Sequence, residues 1–348
     1  MNNIKPVKKP VVMGIVGYGH YMRTNFVLRL RNCTSIKFAG VYNRGEERRK
    51  QAEEDGFWTT GDLDELLALP GLEAVLIGTA NAAHKEQAIR AARAGKHILC
   101  EKPMALSVED CDAMTAEAEK AGVVTHVNHP SPYTDGFMKF REIVQAEAGE
   151  ILHVWHRSTR AFGLWSQGAR HVQVAHPENS GGWTFHHFCH QLNDACLILG
   201  SSHATRVYHL MQNSAGAPSE ELVNSLLTFE SGATAFLCDG LSIGPFTDMG
   251  VQGTKADVRM IEHRIYLAKP GPPDPLQRPG NLTGMVQLFD AAQHGADPHE
   301  TIGHVFAHAV RGDKNELLPF RFIRDQYRIL TALKESAAKG KTVDLKWA

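Results

Sequence analysis

An acid, an amine and a proline ring, Glu101-Lys102-Pro103, close the apolar run His97-Ile98-Leu99-Cys100. In a doubly wound sheet, ligands bind beyond the carboxyl ends of parallel strands, so Lys102 is placed at the mouth of a cofactor cleft. If burial beside a cation lowers its pKa, an ammonium there can polarise a hydroxyl or share its proton. His190 is the complementary candidate. Imidazole titrates near neutral pH and can accept the proton that a carbinol loses as its hydride leaves. His186 stands four residues before His190 on one expected helix, so the two side chains share a face. Either His186 contacts the substrate, or the pair joins a further ligand such as His129 in an HxxxH metal arrangement, although spacing fixes no third ligand and no metal is expected. Ordinary core packing accounts equally well for an isolated histidine.

The second chemical feature is the loop Gly14-Ile15-Val16-Gly17-Tyr18-Gly19-His20-Tyr21-Met22, which follows a strand and opens a helix. That is the context in which glycines make a dinucleotide site: Gly17 for a tight turn, Gly19 for backbone approach to a pyrophosphate. Met22 occupies the third glycine position, a departure that weakens the motif. After the second strand the chain reads Val41-Tyr42-Asn43-Arg44, with no acid to hydrogen-bond an adenosine ribose. Asn43 still bonds a hydroxyl and Arg44 suits a 2′-phosphate, so the cofactor is NADP or NAD.

The elements that position these residues fall into two halves. Apolar runs at Val11–Val16, Ile36–Tyr42, Ala74–Ile77, His97–Cys100 and Val123–Val127 alternate with amphipathic stretches, the pattern of a parallel, doubly wound sheet. Beyond Pro130 the pattern changes. A helix is expected over Gly136–Ala146, a strand over Ile151–Thr159, a helix over Thr184–Leu199, and strands at Arg206–Met211, Leu222–Phe229, Ala233–Asp239 and Ala256–Ile261. Lys269-Pro270-Gly271-Pro272-Pro273 is a loop by composition, and Phe320–Ser336 a closing helix. Consecutive strands predict an open, mostly antiparallel sheet with one face that another subunit covers. The expected fold class is α/β, with a Rossmann domain over 1–128 and a substrate-binding and oligomerisation domain over 129–348.

Among 348 residues, 37 basic and 38 acidic side chains leave no net field for nucleic acid or an anionic membrane surface. A small molecule is the expected partner. Six scattered cysteines without a CxxC pair fit a reducing compartment. The start of the chain lacks a secretory pattern and no run is long enough to span a bilayer, so a cytoplasmic location is expected.

Taken together, the glycine loop, Thr79-Ala80-Asn81-Ala82-Ala83-His84, Glu101-Lys102-Pro103 and Gly181-Gly182-Trp183 followed by His190 resemble the Gfo/Idh/MocA oxidoreductase family. The likeness runs through to Ala337-Ala338-Lys339-Gly340-Lys341-Thr342-Val343. The resemblance implies an N-terminal Rossmann domain, a C-terminal α/β domain whose open sheet mediates oligomerisation as dimer or tetramer, and NAD(P)-dependent oxidation of a secondary alcohol of a sugar, inositol or related polyol, or its reverse. It places Lys102 and His190 at the alcohol, and His186 where the family commonly has an aspartate. Cofactor contacts then fall on Gly17, Gly19, His20, Tyr21, Asn43, Arg44, Thr79, Asn81, His84, Glu101 and Lys102. Some relatives cleave glycosides or drive elimination through transient oxidation, which the unusual His186 also suits. A nucleotide-binding sensor without catalysis is the non-enzymatic alternative. Tyr133, Trp165, Trp183 and Phe185 are expected to border the cleft, with His153, His156, His171 and His176 as further polar candidates.

Overall fold

The computed structural model describes residues 4–347 apart from 169–174, 243, 270–284, 294, 296, 314 and 315. His171 and most of the Lys269–Pro273 segment lie outside the described residues. The chain forms two compact units: 1–133 with 296–327, and 134–295 with 328–348.

The first unit is built on six parallel strands: β1 (Val11–Val16), β2 (Ile36–Tyr42), β3 (Thr59–Thr60), β4 (Ala74–Ile77), β5 (His97–Glu101) and β6 (Thr125–Asn128), in the order β3-β2-β1-β4-β5-β6. This is the doubly wound order, with its topological switch between β1 and β4. Every residue of β4 is buried, as expected for a strand covered on both faces. The helices Asn81–Arg93 and Val108–Ala121 form the crossovers around β5. Ser107 caps the second by accepting from the Asp110 N–H, and left-handed Gly122 ends it.

The sequence places one domain boundary near 128, whereas residues 296–327 return to the first unit. Three contacts explain the return. The Leu318 carbonyl accepts from the Val127 N–H at 2.9 Å, while the N–H groups of Leu318 and Phe320 donate to the His126 and Thr125 side chains at 3.0 Å, so this segment runs alongside the edge strand β6. Arg311 forks onto Glu73 at 2.7 and 2.9 Å. Gly303, in the helix Pro298–Val310, lies where a Cβ would stand 2.7 Å from Leu30 and 2.8 Å from the Cys33 sulfur. That helix is absent from the sequence-based assignment.

The second unit carries a nine-stranded mixed sheet in the order β14-β13-β12-β11-β7-β10-β9-β8-β15. Its strands are β7 (Ile151–Arg160), β8 (Ala204–Gln212), β9 (Leu222–Phe229), β10 (Thr234–Leu241), β11 (Phe246–Gly253), β12 (Asp257–Ile261), β13 (Arg264–Ala268), β14 (Met285–Asp290) and β15 (Val343–Asp344). Only the β7–β10 pair is parallel among these ladders. Helices Asp135–Glu147 and Cys189–Leu199 pack against this sheet. Strand β11 is absent from the sequence-based assignment. Gly250 is there for space: a Cβ would lie 2.1 Å from the Trp155 ring. Register aligns Tyr208, Leu226, Phe236, Trp155, Gly250, Arg259 and Tyr266 in one row across seven strands. Because side chains alternate, the row occupies a single face.

Candidate active site

The first unit concentrates its chemistry at the carboxyl end of β1. Gly17 turns with φ +96°, and its N–H bonds the Tyr42 carbonyl at the end of β2 at 2.8 Å. A Cβ on Gly17 would stand 2.6 Å from the Thr79 methyl, so the loop and the end of β4 fit only with glycine. Nothing lies within 4 Å of the equivalent Cβ position on Gly19, leaving the backbone there open to a ligand. The loop is tied down on both sides. The Tyr18 N–H donates to Asn43 Oδ1 at 3.1 Å, and its buried hydroxyl donates to Asp55 at 2.7 Å, which Arg23 clamps at 2.6 and 2.9 Å.

Met22 shows how this chain manages without a third glycine. It is buried, and the small residue has moved to the facing strand end: a Cβ on Gly78 would meet the Met22 sulfur at 2.0 Å. The helix starts here with a π-turn, Met22–Val27. Such turns widen a helix by one residue and often lie at functional sites.

A cleft of about 490 Å³ opens over this loop, lined by Gly17, Gly19, His20, Tyr21, Asn43, Arg44 and Thr79 among others. Seven of the cofactor candidates thus share one cavity. Asn43 spends its amide on the loop, accepting from Tyr18 and donating to the Gly45 carbonyl at 3.2 Å, whereas Arg44 is exposed at the rim. Arg49 fixes this corner by donating to the carbonyls of Asn43 and Arg44, both at 2.9 Å.

The remaining first-unit candidates form a second layer. His84 is fully buried in the helix Asn81–Arg93, with its ring nitrogens 3.1 Å from the Pro103 carbonyl and 3.2 Å from that of Thr79. Burial lowers its pKa, so a neutral ring donates to one of these carbonyls. His84 is therefore a strut joining the end of β4 to the turn that carries Lys102. Lys102 sits immediately past β5, half-buried, and the Lys102–Pro103 peptide is cis. Glu101 beside it is buried and accepts from Asn128 Nδ2 at 2.6 Å and from the Lys102 N–H at 3.2 Å. Burial pushes its carboxyl up to about 7 against the opposing pull of Lys102 and Asn128. Burial and then the Glu101 charge raise the Tyr21 phenol to about 12, which places Tyr21 within the field of this carboxylate. His129 is buried and held down to about 3 by burial and then Lys102.

In the second unit, Gly181 and Gly182 both turn at φ +78° and lead into buried Trp183. A π-turn, Thr184–Phe188, precedes the α-helix Cys189–Leu199. One uninterrupted α-helix was expected over these residues. The wide turn instead encloses His186, while His190 follows in regular helix, so plain i,i+4 spacing does not describe the pair. His187, absent from the sequence-based candidates, lies tilted against Trp183 with ring centroids 4.1 Å apart and meets His186 edge-on at 4.9 Å. The adjacent His-His pair after Trp183 was its only sequence signal.

Several aromatic candidates are structural. Trp183 and Phe185 are buried, and buried Tyr133 donates its hydroxyl to the Glu316 carbonyl at 2.7 Å. Trp165 is partly exposed, and its backbone N–H donates to Glu221 Oε1 at 2.5 Å. His153 stacks with Trp155 on the sheet face, His156 is buried 3.5 Å from Asp194, and exposed His176 lies beside Glu178.

Residues 11–129 match the Gfo/Idh/MocA oxidoreductase family, described as an NAD-binding Rossmann fold. Over these residues the chain is similar to that family. The 2,7-anhydro-N-acetylneuraminate hydratase of Escherichia coli strain K12 is 29% identical over 71% of this chain and 66% of its own length. The 1,5-anhydro-D-fructose reductase of Ensifer adhaerens is 27% identical over 74% of this chain and 77% of its own. Among solved structures, the aldose-aldose oxidoreductase of Caulobacter crescentus superposes with a TM-score of 0.81 at 22% identity, covering 97% of this chain and 100% of that one. The matched segment is thus an NAD-binding Rossmann domain of the oxidoreductase type. The open approach at Gly19, the left-handed turn at Gly17 and the cleft above them fit a dinucleotide. Among the described residues, no helix is long and apolar enough to cross a membrane.

Proposed function

We propose that this enzyme transfers a hydride between NAD(P) and a secondary alcohol or ketone of a sugar, inositol or related polyol. The observation that supports it best is Lys102, held at the carboxyl end of β5 by the His84 strut and a buried Glu101, in a sheet whose switch-point cleft suits a dinucleotide. When bound, the nicotinamide supplies hydride exchange. The chain supplies the rest. Gly17, Gly19 and Thr79 shape the floor for the pyrophosphate, and Arg44 accepts a 2′-phosphate, so NADP is used well. Lys102 polarises the reacting oxygen, and His190 takes its proton as the carbonyl forms and returns it in reduction. His186, in place of an acid, orients a substrate hydroxyl as a neutral group. We place the enzyme in the cytoplasm, a location that fits six cysteines outside any disulfide. A second copy covers the Tyr208–Leu226–Phe236–Trp155 face, where Leu226 is 55% exposed, giving a dimer or tetramer.

The test is absorbance of reduced nicotinamide with the purified protein against a panel of polyols, aldoses and ketoses. Substrate-dependent formation or consumption of NAD(P)H is expected. No change with any substrate would count against the proposal.

One observation favours a second reading. The E. coli relative carries the name of a hydratase. If this chain works by transient oxidation, anhydro-sugar or glycoside substrates disappear without net NADH, and product analysis separates that from plain redox turnover.

A further inference from the structure

The helix that carries His186 and His190 presents, like any helix start, amide N–H groups that call for partners outside the helix. The group that meets them comes from far along the chain. Glu220 is 6% exposed, and its Oε1 accepts from the Thr184 N–H at 3.0 Å and from the Thr184 hydroxyl at 2.7 Å. Its other oxygen accepts from the Ser219 hydroxyl. Lys334 completes the arrangement: its ammonium lies 3.6 Å from Glu220 and donates to the Gly181 carbonyl at 3.0 Å. Burial alone would raise the pKa of this carboxyl, but Lys334, Ser219 and Thr184 outweigh it and the net shift is downward, which keeps the group ionised. The glycine turn is shaped around the same carboxylate. A Cβ on Gly182 would stand 2.8 Å from both Glu220 oxygens and 2.7 Å from Ser219.

We infer that Glu220 is the positioning residue of the histidine helix, with Lys334 as its counter-ion: it receives the Thr184 amide and hydroxyl and so fixes the Gly181–Gly182 turn and the π-turn that holds His186 and leads into the helical turn of His190. A carboxylate at a helix start is favoured by the local dipole. A buried, charge-paired one holds it in a single orientation. The inference rests on the reading that His190 and His186 act on substrate, and it adds what sets their placement. Glu220 touches the helix and acts on substrate only through it.

The experiment compares Glu220→Ala, Glu220→Gln and Thr184→Val with the wild type in the intact protein. Three readouts are used: kcat and KM with the best substrate of the panel, nucleotide affinity by fluorescence, and hydrogen exchange of amides 184–190. Glu220→Ala is expected to lower kcat by tenfold or more and to speed exchange at 184–190, with nucleotide affinity within about threefold of wild type. Glu220→Gln, which keeps an oxygen for Thr184, recovers most of kcat. Should Glu220→Ala fail to fold, Thr184→Val carries the decision, with a smaller kcat loss and the same exchange pattern expected. Folded variants with wild-type kcat and unchanged exchange overturn the inference. So does loss of nucleotide affinity in step with kcat, which marks a general packing defect. If the wild type turns over no substrate, the functional reading fails while exchange at 184–190 still decides the clamp.

Discussion

Two segments of this molecule solve the same problem differently. The cofactor loop and the histidine helix both enter through left-handed glycine and a π-turn. At Gly17 the space is limited by Thr79, part of an adjoining strand end in the same sheet. At Gly182 it is limited by Glu220 and Ser219, side chains from the start of another strand region. The first turn is built for a ligand that approaches backbone. The second is built around a carboxylate already inside the protein. A glycine motif therefore does not state what lies over it; only the third dimension does.

That contrast is sharpened or broken by mutation. The largest effect is expected for Lys102→Ala, which should lower kcat/KM by on the order of 10³-fold while leaving nucleotide affinity within about threefold, as for loss of a group acting in proton transfer. Steady-state kinetics with fluorescence titration checks it. Next come the paired glycine variants. Gly17→Ala combines positive φ with a 2.6 Å clash, so nucleotide affinity should fall at least about tenfold with a melting point lowered by several degrees. Gly182→Ala should lower the melting point comparably and reduce turnover, yet leave nucleotide affinity intact. If both lose nucleotide equally, the division between the two turns is wrong.

Within the cofactor region, much was readable from residue types. The strand-glycine-helix order located the cleft, and Asn43-Arg44 located its rim, because these features depend on neighbours in sequence. The role of Asn43 was not readable. Its amide is consumed by Tyr18 and Gly45, a fact of side-chain geometry rather than of residue type. Met22 looked like a defect because its compensation, Gly78, lies across the sheet. In the histidine region, His186 and His190 were singled out by residue type and the family resemblance, but the π-turn that holds His186 is bonded through Thr184 to Glu220, far away in sequence. Strand β11 went unread, and the reason for Gly250 within it, room for the Trp155 ring, lies on a neighbouring strand. The helix Pro298–Val310 and the return of 296–327 to the first unit depend on long-range pairing with β6 and Glu73.

Smaller effects refine the cofactor end. Arg44→Ala should raise KM for NADP about tenfold and leave KM for NAD nearly unchanged, as loss of a charge-assisted contact to one phosphate predicts. Equal effects on both nucleotides would remove Arg44 from 2′-phosphate recognition. Glu101 supplies a pH test. Its carboxyl titrates near 7 when folded, above the ordinary value of 4.5, so the unfolded chain releases this proton at lower pH than the native one. The native state is therefore penalised increasingly as pH rises from about 4.5 to about 7, and fully above it. Glu101→Gln should melt higher than wild type at pH 8, with the difference shrinking at pH 5. A constant difference would mean that the burial of Glu101 is relieved in solution.

The division of labour is tested most directly by His190→Ala, assayed in parallel for NADP(H) binding and for single-turnover hydride transfer. The account predicts nucleotide affinity like that of the wild type with transfer slowed by at least about 10²-fold, recovering partly as pH is raised and solvent base replaces the lost imidazole. Wild-type transfer in the variant, or loss of nucleotide binding along with it, would contradict the claim that the second unit's histidine handles the proton while the first unit holds the cofactor.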